Sequence, residues 1–228
     1  MDARFKPENI KNSMDLFADI ENTDAPMLSL GAQSLLLRGF VLEREHLILH
    51  ALTDIINEAP LRSMLTPGGQ MMSVKTTSCG QLGWVSDRRG YRYAENDPIT
   101  GKPWPAMPAA FSELALEAAQ SAGFGDFHPD ACLINQYEIG AKMGLHQDKD
   151  EVDFGQPIVS VSLGIPAIFL FGGIKRSDRA ERVLLRHGDV VVWGGVDRLR
   201  YHGILPIKPD IHPALGPSRI NLTFRRAR

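Results

Sequence analysis

Cysteine is scarce in this sequence. Cys79 and Cys132 are the only two, they stand far apart, and neither belongs to a C-x-x-C pair. That excludes a disulfide framework and a thiolate zinc site, leaving buried free thiols in a reducing compartment as the expectation. Long apolar runs are also missing, and none approaches a membrane span. Nor is one sign of charge in excess: 25 Lys and Arg face 27 Asp and Glu, a net charge of -2. This excludes a polycation that holds nucleic acid by bulk attraction, but not a local basic groove. The opening "MDARFKPENIKNSMDLFADIENTD" has several acids and no continuous apolar segment, so it reads as neither signal nor transit peptide. The expectation is a soluble, cytoplasmic protein without a membrane partner. With no coiled-coil repeat or long exposed apolar segment, it is expected to be a monomer.

What is present suits one domain: 228 residues, 43% hydrophobic and 23% charged. Residues 1–13 read as a polar, mobile extension and residues 14–228 as the domain. "LEREHLILHALTDIINEA" carries Leu47, Ile48, Ala51, Leu52, Ile55 and Ile56 on one helical face and should end before Pro60. "PAAFSELALEAAQSAG" predicts a second helix, opened by Pro108 and stopped by Gly123. Between them, residues 66–108 are rich in Gly, Pro, Thr, Tyr and Trp, with "MMSVKTTSCG" as a strand. This region is either a surface excursion or a binding lid. Residues 130–228 break into short β-branched runs such as "PIVSVSLG", "DVVVWGG" and "RINLTFRR", separated by Gly, Pro and charge. The fold expected is mainly β with flanking helices, a sandwich or barrel, and not a doubly wound parallel sheet.

Two His-x-Asp pairs compete as a metal site. In "GLHQDKDEVD", His146 and Asp148 are two apart, which on a strand puts both on one face. Two His and one carboxylate are the usual donors of a mononuclear non-haem iron, and His202 in "LRYHGILP" is the best third ligand. The rival pair, His187 and Asp189, flanks Gly188 between two strand-like runs and reads as a tight turn. Spacing alone does not decide between them.

Other residues weigh in. "RINLTFR" puts Arg219, Asn221, Thr223 and Arg225 on one face of a strand. Buried guanidinium needs an anion, so the face is either an edge paired with acids or a pocket for a dicarboxylate.

The whole sequence resembles the AlkB family of alkylation-repair dioxygenases, within the iron(II)- and 2-oxoglutarate-dependent oxygenases. The likeness runs from about Met14 to Phe224 through "TPGG", "GWVSDRRGYRY", "KPWPAMP", "DACLINQY", "GAKMGLHQDKDE", "PIVSVSLGIPAIFLFGG", "HGDVVVWGG", "YHGI" and "NLTFR". It implies a double-stranded β-helix (jelly roll) core over about 130–228 and a nucleotide-recognition lid over about 66–108. It implies Fe(II) on His146, Asp148 and His202, with 2-oxoglutarate and O2 as cosubstrates. Arg219 and Arg225 would take the two carboxylates of 2-oxoglutarate, with Asn135, Tyr137 and Asn221 lining its site.

For the flipped base the resemblance names Trp84, Tyr91 and His146 around the ring, Asp150 on its exocyclic amine and Arg176 nearby. Thr76 stands where a Met is usual on the lid strand facing the base. Lys149 and Glu151 read as solvated. Arg88, Arg89 and Arg92, and less so Lys175, Arg176 and Arg179, are the candidate phosphate contacts. The implied reaction is oxidative removal of methyl from 1-methyladenine and 3-methylcytosine in single- or double-stranded DNA, with RNA as a further substrate. The products are formaldehyde, succinate and CO2. Rival readings are an oxygenase of small molecules or protein side chains, a non-catalytic metal-binding jelly roll, and a DNA-binding module without chemistry. The aromatic lid and Asp150 weigh against the first, the inward arginines against the second and the triad against the third.

Overall fold

The computed structural model of the protein describes residues 25–228. The expected extension over 1–13 lies outside them. The chain enters through the hairpin β1 (Met27–Gly31) and β2 (Ser34–Leu37), then α1 (Glu45–Glu58), β3 (Arg62–Leu65) and β4 (Met71–Gly80). A separate two-stranded hairpin follows, β5 (Gly83–Asp87) and β6 (Gly90–Ala94), and then α2 (Ala109–Ser121). The remaining strands are β7 (Ala131–Tyr137), β8 (Met143–His146), β9 (Ile158–Gly164), β10 (Ala167–Phe171), β11 (Glu181–Leu185), β12 (Val190–Trp193), β13 (His202–Ile204) and β14 (Arg219–Arg225).

Eight strands form the larger sheet in the order β1-β2-β12-β9-β14-β7-β4-β3. The smaller sheet runs β11-β10-β13-β8, and pairing in both is antiparallel. The core sheet therefore also draws strands from before residue 130.

Each layer follows from period-two alternation. On β14, Ile220, Leu222 and Phe224 face a core shared with Ile48 and Leu52 of α1 and Phe111 and Leu114 of α2. Each such fully buried side chain contributes about 1.5–3 kcal/mol. The intervening Arg219, Asn221, Thr223 and Arg225 are buried on the opposite face. A second core fills the space between the sheets, where Trp193 packs against Phe169 and Phe171. Two facing antiparallel sheets with both helices on the outer face of the larger one make the double-stranded β-helix.

Both expected helices are present, and α2 starts directly after Pro108. Gly188 sits at φ +85°, and a Cβ there would meet Leu42 Cδ2 at 2.8 Å. Only glycine suits this turn between β11 and β12.

Candidate metal and dicarboxylate site

His146 ends β8 and His202 begins β13, and the two are cross-strand partners in the smaller sheet. Their rings lie 4.4 Å apart. The strands approach closely because residue 203 is glycine: a Cβ there would meet the Met143 carbonyl oxygen at 2.7 Å. Nδ1 of His146 lies 2.9 Å from the Gly144 carbonyl, and Nδ1 of His202 lies 3.0 Å from that of Arg200. A carbonyl only accepts, so Nδ1 carries the proton in each ring. Both Nε2 lone pairs are left free for a metal.

Asp148 stands two residues beyond the end of β8, so the strand-face argument for pairing it with His146 does not hold. Side chains place it instead. Arg225 donates to its Oδ2 from Nη2 at 2.6 Å and Nε at 3.0 Å, and Arg198 Nη1 donates to its backbone carbonyl at 2.8 Å. Oδ1 lies 3.6 Å from His146 Nε2 and Oδ2 lies 3.7 Å from His202 Nε2. The three donor atoms fall within 4.8 Å of one another. Donors so spaced can share one divalent ion at about 2.0–2.2 Å. Two imidazoles and one carboxylate suit a non-haem iron with positions left open.

Electrostatics keep this set ready. Burial alone would raise the Asp148 carboxyl, but Arg225 and the two histidines hold it well below the usual carboxylate range. Burial and the neighbouring His146 push His202 down to about 4, so it is neutral near pH 7.

A cavity of about 400 Å³ opens beside the triad. Asn135, Tyr137, Arg219, Asn221 and Arg225 line it, as do Trp84, Tyr91, Asp150 and Arg176. Arg219 is 1% exposed and donates Nη2 to Ser162 Oγ at 2.9 Å, yet its Nε and Nη1 have no hydrogen-bond partner. A buried guanidinium with two idle donors on a cavity wall fits a carboxylate. Asn221 is committed differently: its amide donates to Ser160 Oγ and the Val161 carbonyl, fixing the wall.

At the mouth, Trp84 of β5 stacks on Tyr91 of β6 with centroids 5.3 Å apart. Trp84 Nε1 donates to Asp150 Oδ2 at 2.9 Å, joining the hairpin to the loop after β8. Arg176 stands 6.0 Å from the Tyr201 ring.

The structure bears on three further expectations. Thr76 pairs with Asn135 on the same sheet face, but it is 0% exposed and does not line the cavity. Glu151 is not solvated: its side chain is 2% exposed and accepts from Tyr93 Oη at 2.6 Å and Arg198 Nη2 at 3.0 Å. Arg89 and Arg92 are both tied to Asp87, leaving Arg88 as the hairpin guanidinium without an ion pair among the described residues.

His187 and Asp189 form the expected turn. His187 Nδ1 accepts from the Gly164 amide at 2.9 Å, its ring stacks on His212, and Asp189 accepts from Arg38, Gly39 and Arg186.

A family model described as the 2OG-Fe(II) oxygenase superfamily matches residues 33–225. The chain is 55% identical to the alpha-ketoglutarate-dependent dioxygenase AlkB of Escherichia coli strain K12 over 214 residues, 94% of this chain and 98% of that one. It is 47% identical over 174 residues to the AlkB homolog of Caulobacter vibrioides strain NA1000, 75% of this chain and 76% of the other. The solved structure of OsALKBH1 matches with a TM-score of 0.78 at 31% identity, covering 88% of this chain and 100% of that one.

Proposed function

The chain belongs to the 2OG-Fe(II) oxygenase superfamily and, within it, to the AlkB dioxygenases; on that premise we propose which of its residues do the work and on what. It is an iron(II)- and 2-oxoglutarate-dependent dioxygenase, and its reaction is oxidative demethylation of alkylated bases in DNA. Bound in the site, iron(II) with 2-oxoglutarate and O2 supplies the oxidising power that hydroxylates a methyl on a ring nitrogen. The hydroxymethyl group then leaves as formaldehyde. We assign the iron to His146, Asp148 and His202.

The protein's own part is to bind, orient and exclude water. Arg219 offers its idle Nε and Nη1 to the far carboxylate of 2-oxoglutarate, and Arg225 neutralises the near one while steadying Asp148. Tyr137, 4.9 Å from the Arg219 guanidinium, and Asn135 wall the site. Trp84 and Tyr91 present aromatic faces for an extruded base, and Asp150 accepts from its exocyclic amine. Thr76 is 0% exposed beside Asn135 on the same sheet face, so its part in this proposal is to pack against Asn135 and not to offer a free surface to the base.

One observation carries this reading: the triad and a buried arginine with unused donors face the same cavity. The substrates proposed are 1-methyladenine and 3-methylcytosine in single- or double-stranded DNA, and RNA. Action as a cytoplasmic monomer belongs to the same proposal. No helix among the described residues is long and apolar enough to cross a membrane. The test is incubation with Fe(II), 2-oxoglutarate, O2 and a 3-methylcytosine oligonucleotide, measuring formaldehyde and restored cytosine. Iron-loaded protein that yields neither product sinks the repair reading, and activity that persists in His146→Ala sinks the ligand assignment.

A further inference from the structure

Glu151 lies three residues after Asp148, in the loop between β8 and β9, and its carboxylate is sealed from solvent. Oε1 accepts from Tyr93 Oη at 2.6 Å and stands 3.4 Å from Arg225 Nε. Oε2 accepts from Arg198 Nη2 at 3.0 Å. Both arginines continue to Asp148, Arg225 at the carboxylate and Arg198 at the backbone carbonyl. Arg198 also donates from Nε to the Gln156 carbonyl at 3.0 Å, which closes the far end of the same loop. The metal ligand off the strand end is thus gripped at two points, and one carboxylate stands behind both grips.

We propose that Glu151 is a positioning residue that joins the β5–β6 hairpin to the metal-ligand loop, aligning Asp148 through Arg225 and Arg198. Two guanidiniums buried side by side need two carboxylates, and Asp148 alone leaves one of them without a counter-charge. A neutral amide in place of Glu151 accepts a hydrogen bond but supplies no charge. Tyr93 makes the joint long-range. It belongs to β6, on the hairpin that carries Tyr91, so the aromatic platform is registered against Asp148 through this carboxylate. Lost support of this kind behind a metal ligand typically weakens metal affinity 10–100-fold.

The inference rests on the iron and 2-oxoglutarate reading and is tested without turnover. Full-length, metal-free protein is titrated with Mn(II), and binding of a labelled 3-methylcytosine oligonucleotide is followed by anisotropy. Glu151→Gln should lose about tenfold in Mn(II) affinity. Tyr93→Phe should keep Mn(II) affinity within about twofold yet weaken oligonucleotide binding about fivefold, the worth of one hydrogen bond. Circular dichroism monitors folding separately.

Folded Glu151→Gln that binds Mn(II) like the wild type overturns the proposal. So does Tyr93→Phe with unchanged oligonucleotide binding. If Glu151→Gln does not fold, Arg198→Gln breaks the same line from its other end: a comparable fall in Mn(II) affinity supports the joint and an unchanged one overturns it. Variants that show these splits beside a wild type that restores no cytosine sink the repair reading and leave the joint standing. Wild type that repairs, with Mn(II) affinity intact in Glu151→Gln, sinks the joint alone.

Discussion

Arg225 places both Nη2 and Nε on one oxygen of Asp148, at 2.6 and 3.0 Å. The other oxygen is left facing His146. This arginine is therefore tied to the proposed metal ligand as well as to the proposed cosubstrate site. Arg225→Lys keeps the charge but loses the planar fork. It should lower iron affinity and raise KM for 2-oxoglutarate together, at a cost of about 2–5 kcal/mol in transition-state stabilisation. Steady-state kinetics beside a metal titration check it, and a change in only one parameter counts against the double role.

Arg219 differs, because it makes no contact with the triad and holds two idle donors. Arg219→Met should raise KM for 2-oxoglutarate by at least about 30-fold, the lower end of what a buried charged hydrogen bond is worth. Metal affinity should stay at the wild-type value. Calorimetric titration with 2-oxoglutarate and Mn(II) separates the two.

Acid should destabilise the metal-free protein through buried His202 and half-buried His187. His202 is pushed down to about 4 from 6.5, and burial and His212 pull His187 down as well. In this window the unfolded chain binds protons that the folded one refuses, so acid favours unfolding. Stability should hold above about pH 7 and fall from pH 6.5 towards 4, with His202 contributing on the order of 3 kcal/mol at completion. Urea midpoints across pH test the sign, and His187→Gln should flatten part of the slope.

Trp84 combines a stacking face with a hydrogen bond to Asp150. Trp84→Ala should weaken binding of a methylated oligonucleotide by about 5- to 150-fold, the range for one base stacked on an aromatic ring. Trp84→Phe keeps a face but not the N–H, and should fall between wild type and Ala. Anisotropy titrations at fixed salt rank the three.

The two His-x-Asp pairs should separate cleanly by mutation. His202→Ala should abolish metal binding and turnover, whereas His187→Ala should retain both while lowering thermal stability. His187 holds the Gly164 amide, and leaving that donor unpaired costs about 1–3 kcal/mol.

Regular alternation and helical stripes made much of this legible. β14 could be read with its inward arginines and outward apolar residues, and α2 with its opening proline. β8 and β13 are short and, unlike β12, hold no continuous β-branched run, so they were not legible, although they bring His146 and His202 together. Thr76 shows a further limit: resemblance gives a residue's place in the family pattern but not its exposure, which here is 0%. Glu151 looked solvated because its partners, Tyr93 and Arg198, are remote in sequence. The cosubstrate and base roles came from family resemblance, which spacing alone could not supply.

β8 is a four-residue edge strand, and its pairing with β13 slips between His202 and Ile204. An ion bridging His146 and His202 would act as a rung across that weak ladder, much as a cross-link pins a fraying hem. Amide exchange along β8 should slow on metal loading while the central strands β9 and β14 change little. The ion would thus set the mobility of the strand from which the loop carrying Asp148, Asp150 and Glu151 departs.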